Sequence, residues 1–206
     1  MISRYQGHTD AELSELGIRQ AEFVGKRLKD EAIDAVYASD LSRAGDTGQA
    51  IAVHHGLPVK TDERLRECSF GEWEGLLVDE IAEQYPELYA NYRRDSLTHR
   101  APGGERLEEL QARVIESINE IVERHPHETV VIATHGGPIR AFFCHAIGAT
   151  LGTFRKIRLD NGGITTFSLD EYGKWFIEVM NDTYHMDEAW AKGCSHDETM
   201  AIDKAF

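Results

Sequence analysis

Thr129-Val130-Val131-Ile132-Ala133-Thr134-His135-Gly136-Gly137-Pro138-Ile139-Arg140 is the stretch that decides the fold. Its first five residues are apolar or β-branched with no alternation, the pattern of a strand buried on both faces. His135 and two glycines interrupt the run, and Ile139 to Ile147 reads as an apolar helix. A buried strand that stops at His-Gly-Gly and turns into a helix suits anion chemistry. The glycines let a ligand approach the backbone, and a helix N-terminus presents N–H groups without intrahelical partners. His135 can carry a proton, a charge or a phosphoryl group. A histidine there can equally do no more than cap the turn, so its reading rests on the rest of the chain.

On the N-terminal side, Leu107, Leu110, Val114, Ile118 and Ile121 recur three or four residues apart, a helix that Pro126 closes. On the other side, Ile164–Phe167 and Trp175–Val179 read as strands joined by the turn Asp170-Glu171-Tyr172-Gly173, a hairpin at the sheet edge. Residues 187–206 read as an acidic tail. Earlier in the chain, Ser14 caps a helix running to about Lys29. Ala32–Ala38 is a short apolar strand ending in Ser39-Asp40. Leu41-Ser42-Arg43 then opens a helix to about His55, with Gly56 as its C-cap. Pro58-Val59-Lys60 begins another strand, and residues 65–75 form an irregular loop rich in charge and aromatics. Asp79–Tyr85 and Pro86–Arg94 are two short helical pieces, ended by Pro102-Gly103-Gly104. Helices alternating with buried strands give an α/β class with a mostly parallel sheet. Ligands of such sheets sit outside the carboxyl ends of the strands, which places Ser39–Arg43 and Thr134–Gly137 at one edge.

The totals narrow the function. A chain of 206 residues with 41% hydrophobic content makes one domain with a real core. Its net charge of −14 argues against nucleic acid or an anionic membrane as partner. A phosphate ligand then needs a local positive pocket set against the overall field. Cys68, Cys144 and Cys194 are odd in number and lack any Cys-x-x-Cys spacing, which points to a reduced compartment. No run approaches the ~20 apolar residues of a membrane span, and no signal-peptide core opens the chain, so a cytoplasmic location is expected.

Two further residues are candidates for chemistry. Arg43 lies in the first turn of a helix, where a cation opposes the helix dipole. That placement makes sense if the guanidinium shares an anion with the backbone N–H groups, and its planar fork suits phosphate. Glu67 stands near Phe70 and Trp73 in the irregular loop, where a carboxyl pKa can rise towards general-acid use. Taken singly, each can also be an ordinary surface residue.

Together the parts resemble the histidine phosphatase superfamily, in its phosphoglycerate-mutase-like branch. The matching segments are Tyr5-Gln6-Gly7-His8-Thr9-Asp10, Leu13-Ser14-Glu15-Leu16-Gly17, Ser39-Asp40-Leu41-Ser42-Arg43-Ala44 with Thr47, and Leu65-Arg66-Glu67 with Phe70-Gly71-Glu72-Trp73-Glu74-Gly75. Pro102-Gly103-Gly104-Glu105, Thr134–Arg140 and Asn181-Asp182-Thr183-Tyr184-His185 complete the set, from Arg4 to about Met186. The resemblance implies a three-layer fold, residues 1–186, with a small helical cap at 76–104. It implies phosphomonoester chemistry through a phosphohistidine on a small phosphorylated metabolite, without metal or cofactor. Carried over, Arg43 binds the transferring phosphate, Glu67 donates the proton to the leaving oxygen, and His135 is the second pocket histidine. Gly136 lends its N–H, and Gln6 and Gly7 line the substrate side. A loose phosphoryl transition state needs such positive groups around its equatorial oxygens and an acid in line.

One departure matters. The family's first motif is a strand ending in Arg-His-Gly, whose histidine is the nucleophile, and no such motif precedes Arg4-Tyr5-Gln6-Gly7. Val53-His54-His55-Gly56 resembles it only superficially, because it ends a helix. The expectation is therefore a missing first strand, with the nucleophile on about 10 to 20 residues ahead of Met1. A genuine truncation that only binds anions is the alternative, as is a replacement strand from the tail. The modest segment between Glu67 and His135 lacks an evident basic platform, which favours a phosphatase of the broad-specificity or α-ribazole-phosphate type over a mutase. Arg106 stands where the latter type usually carries serine. A metal site from His125, His127, His135, His145 and His185 lacks a nearby carboxylate pair and is disfavoured. A homodimer is compatible with these totals.

Overall fold

The computed structural model describes residues 4–186. The expectations for Met1-Ile2-Ser3 and for the tail at 187–206 fall outside those residues. The elements follow in the order α1 (Glu15–Leu28), β1 (Ala35–Ala38), α2 (Ser42–Ala52), β2 (Val59–Thr61), α3 (Val78–Gln84), α4 (Pro86–Arg94), α5 (Leu107–Arg124), β3 (Val130–Ala133), α6 (Gly136–Ala146), β4 (Ile164–Leu169) and β5 (Trp175–Asp182). Ser14 caps α1 as its sequence implies, its hydroxyl accepting from the Gly17 N–H at 3.2 Å.

The centre is β1, paired in parallel with β2 on one side and β3 on the other. All four of its residues are buried. They alternate between two helical layers. Val36 packs with Val24, Ile51 and Ala52 from α1 and α2, whereas Ala35 and Tyr37 pack with Leu65 and with Ile121 of α5. A parallel sheet covered on both faces is the α/β arrangement that the alternation of elements implies. The strand register sets Ala38 beside Ala133. The segments that follow them, Ser39–Arg43 and Thr134–Gly137, therefore leave the sheet at one edge.

Three details differ from the sequence reading. First, α6 begins at Gly136 and not at Ile139, with His135 as its N-cap at φ −125° and ψ 171°. Pro138 fits because a first-turn residue needs no N–H. Second, α2 stops at Ala52, three residues before His55, and a turn follows to Gly56 at φ 64°. Third, the hairpin β4–β5 is a two-stranded sheet of its own and not an edge of the main one. What holds it is side-chain packing. Phe142 of α6 meets Phe167 and Trp175 edge-on, both with centroids 5.0 Å away.

The third difference bears on β3. Among the described residues β3 has a strand on one flank only. Val130, Val131 and Ile132, read as buried on both faces, are half-buried here. Their apolar, unalternating character belongs to an interior strand, and β3 occupies an edge. No helix of the described residues is long and apolar enough to cross a membrane.

Candidate active site

The residues singled out in the sequence gather at the carboxyl edge of β1 and β3. His135 lies two residues past β3 as the N-cap of α6, is 9% exposed, and its Nε2 is buried with no hydrogen-bond partner. Burial, and then the positive charges of Arg43 and Arg113 and the ring of His8, push its pKa down to about 3. The imidazole is neutral at pH 7. This carries a stability consequence. The folded value lies below the ordinary one, so between about pH 6.5 and pH 3 the unfolded chain takes up a proton that the folded chain refuses. Stability falls as pH is lowered through that window, by up to about 1.4 kcal/mol per pH unit from this group. Urea unfolding of His135→Gln at pH 7, 5.5 and 4 should show a shallower decline than the parent. Parallel declines would contradict the assignment.

Glu67 does not stand free. Its Oε1 accepts from the Cys68 N–H at 2.7 Å and from the Gly137 N–H at 3.0 Å, with Oε2 3.2 Å from the same Gly137 nitrogen. The carboxylate thus lies on the N-terminus of α6, the end of a helix that accepts anions. Gly136 opens that helix beside it. A Cβ at Gly137 would collide with Glu67 Oε1, so the glycine is what lets the carboxylate in. The aromatic residues of the loop serve elsewhere. Trp73 is fully buried with Ile81, Tyr89 and Ala101 under α3 and α4, and Phe70 meets Tyr5 edge-on at 4.8 Å.

Arg43 sits in the first turn of α2 as expected. Its two terminal nitrogens donate to the carbonyls of Gly7 at 2.8 Å and Thr9 at 3.0 Å. Burial lowers its pKa, opposed by the charges of Glu67, Asp10 and Glu74. The unfavourable dipole placement has a local remedy that sequence reasoning missed. Asp10 caps α2 from a distance, accepting from the Ser42 N–H at 2.8 Å and its hydroxyl at 2.7 Å. Those two bonds hold the Asp10 carboxyl below its usual range.

Gln6 is exposed and Gly7 is buried. Gly7 has φ 53°, in the turn closed by the Thr9 N–H donating to the Gln6 carbonyl at 2.9 Å. Tyr5 anchors this segment, its backbone pairing with Gly75 and Leu76. His8 follows, and its Nε2 donates to the Glu67 carbonyl at 2.9 Å. Neither His8 nor Asp10 stands out in the sequence, because their partners lie far along the chain. Two of the other histidines weighed for a metal, His125 and His185, are engaged elsewhere. His125 bonds the Tyr37 hydroxyl at 3.0 Å and Glu128 at 2.6 Å, and His185 donates to the Gly162 carbonyl at 3.0 Å.

A family model described as "Histidine phosphatase superfamily (branch 1)" matches residues 2–183. This chain belongs to the histidine phosphatase superfamily. Phosphoserine phosphatase 1 of Hydrogenobacter thermophilus is 32% identical over 191 residues, covering 93% of this chain and 90% of that protein. Phosphoglycerate mutase-like protein 4 of Arabidopsis thaliana is 37% identical over 189 residues, covering 90% and 80%. Among solved structures, YhfR of Bacillus stearothermophilus superposes with a TM-score of 0.85 at 31% identity, covering 89% of this chain and 91% of that one. The α-ribazole phosphatase of Shigella flexneri gives 0.80 at 25% identity, covering 87% and 89%. The superfamily membership and the kinship with phosphoglycerate-mutase-like and α-ribazole phosphatase proteins are thus as the motifs imply.

Proposed function

We propose that this histidine phosphatase hydrolyses phosphomonoesters of small metabolites through a phosphohistidine, without a metal. The observation that carries the reading is the convergence of Arg43, Glu67, His135 and the N-terminus of α6 on one sheet edge, where a buried His135 Nε2 has no partner. A phosphate placed there gives that nitrogen an acceptor for its proton and gives Arg43 a bidentate anion. It also competes with the Glu67 carboxylate for the helix end, leaving Glu67 free to protonate the departing oxygen. Gly136 supplies an N–H, and Gln6 and Gly7 border the leaving group. Helices α3 and α4, within the segment 76–104, cap this side.

The nucleophile is proposed to lie ahead of Met1, at the end of a strand that runs along the open flank of β3. The half-buried Val130, Val131 and Ile132 support this, because a strand laid there would give them the second neighbour their composition suits. The short α3 and α4, of seven and nine residues, carry basic residues only at Arg93 and Arg94 in the last turn of α4, a small set for a bisphosphate, which favours hydrolysis over mutase transfer. The relative named phosphoserine phosphatase is in keeping with a small phosphorylated substrate. The natural gene product should hydrolyse 4-nitrophenyl phosphate in excess EDTA at the same rate as without it. Complete loss on chelation would replace the phosphohistidine route with metal chemistry.

A further inference from the structure

The loop that carries Glu67 belongs to no helix or strand ladder beyond two short turns, at Glu63–Leu65 and Gly71–Trp73. Its carbonyls need other donors. Four consecutive ones, from Arg64 to Glu67, are each met by a side chain. Arg113 of α5 supplies most of them. Its Nη1 donates to the Arg64 carbonyl at 2.6 Å and the Arg66 carbonyl at 2.8 Å, and its Nη2 to the Glu67 carbonyl at 2.8 Å. Thr134, next to His135, donates to the Leu65 carbonyl at 2.7 Å. His8 adds a second donor to the Glu67 carbonyl.

The same guanidinium is fixed from behind by Glu105. Arg113 Nε donates to Glu105 Oε1 at 2.7 Å and Nη2 to Oε2 at 2.8 Å. The two side chains are 18% and 13% exposed, so solvent screens the pair little. Glu105 in turn accepts from the Ser69 N–H at 3.3 Å, and its own N–H donates to the Ser69 carbonyl at 2.9 Å. The acid's loop is therefore gripped on both sides of Glu67, by carbonyls towards Arg113 and at Ser69 towards Glu105.

We infer that the Arg113–Glu105 pair is the device that aims Glu67, making Arg113 a positioning residue for the proton donor. This inference rests on the phosphatase reading for its consequence in catalysis. The chemistry favours Arg over Lys here, because a planar fork serves three carbonyls and a carboxylate at once and an ammonium cannot. A misplaced acid matters only where the leaving oxygen needs a proton. It also bears on His135, since Thr134 ties the acid's loop to the strand end that carries that histidine.

The test uses Arg113→Lys and, as a milder variant, Glu105→Gln, in the full natural chain. Two esters are compared, 4-nitrophenyl phosphate, whose leaving group departs as a stable anion, and an alkyl phosphate, whose leaving group does not. For Arg113→Lys, kcat on the alkyl ester should fall about 10- to 100-fold, with kcat on the nitrophenyl ester falling less than about threefold and KM holding for both. Glu105→Gln should show the same split, smaller. Equal losses on the two esters would overturn the inference and leave Arg113 a packing residue. Amide exchange gives a readout independent of catalysis. The Cys68 and Gly137 N–H groups that Glu67 holds should exchange faster in Arg113→Lys, with β1 amides unchanged. Unchanged exchange at Cys68 and Gly137 overturns the clamp. If the parent hydrolyses neither ester, the phosphatase reading fails, and exchange still decides whether Arg113 aims Glu67.

Discussion

Replacing Arg43 by alanine should lower kcat/KM for a phosphomonoester by about a thousandfold or more. Two losses combine. The first is a guanidinium proposed to face the transferring phosphoryl group, a local cation in a chain whose net charge of −14 otherwise disfavours an anion. The second is the tether. Arg43 holds the carbonyls of Gly7 and Thr9, so its removal also frees the segment that carries His8. Arg43→Lys separates the two. It restores the charge but not a fork able to keep both carbonyls and still present donors to phosphate, so it should recover only a minor part of the loss. Steady-state kinetics on 4-nitrophenyl phosphate checks this. Retention of activity within about tenfold in Arg43→Ala would remove Arg43 from the phosphate site.

The second large effect is on stability. A chain carrying an apolar strand ahead of Met1 should melt about 10 °C above the chain that starts there. Covering the open flank of β3 buries the remaining surface of Val130, Val131 and Ile132 and pairs the strand's free backbone groups, worth about 3 to 5 kcal/mol together. At about 2 to 4 °C per kcal/mol for a domain of this size, that becomes the stated shift. Differential scanning calorimetry of the two chains reads it directly. Identical melting temperatures would mean that the strand does not dock on β3.

The contiguous features were legible in the sequence. The β3–α6 stretch gave up its fold because strand, turn and helix follow one another in twelve residues. Ser14 announced the start of α1 because a cap acts three residues away. Arg43 was legible through the conflict between its charge and its position. The cause of that conflict's relief was not, since Asp10 reaches Ser42 from 32 positions away. The clamp on Glu67 was hidden for the same reason. Arg113 lies beside Val114 on α5, and nothing in a helical periodicity says that its donors meet carbonyls 46 to 49 positions earlier. The hairpin was read correctly as a hairpin and wrongly as part of the main sheet. Local turn chemistry sets β4 against β5, but which strand lies beside them is a tertiary matter. The half-exposure of β3 was the reverse case. Its composition is that of an interior strand, and among the described residues it stands at an edge.

That mismatch leads to the most direct test of the account. Hydrolysis of 4-nitrophenyl phosphate in EDTA should be measured on the chain from Met1 and on the same chain preceded by its own upstream coding sequence. The extended chain is expected to carry an apolar strand ending in Arg-His-Gly and to turn over substrate, whereas the chain from Met1 is expected to show no turnover. Equal turnover by both chains would contradict a nucleophile ahead of Met1, as would an upstream reading frame closed by a stop codon.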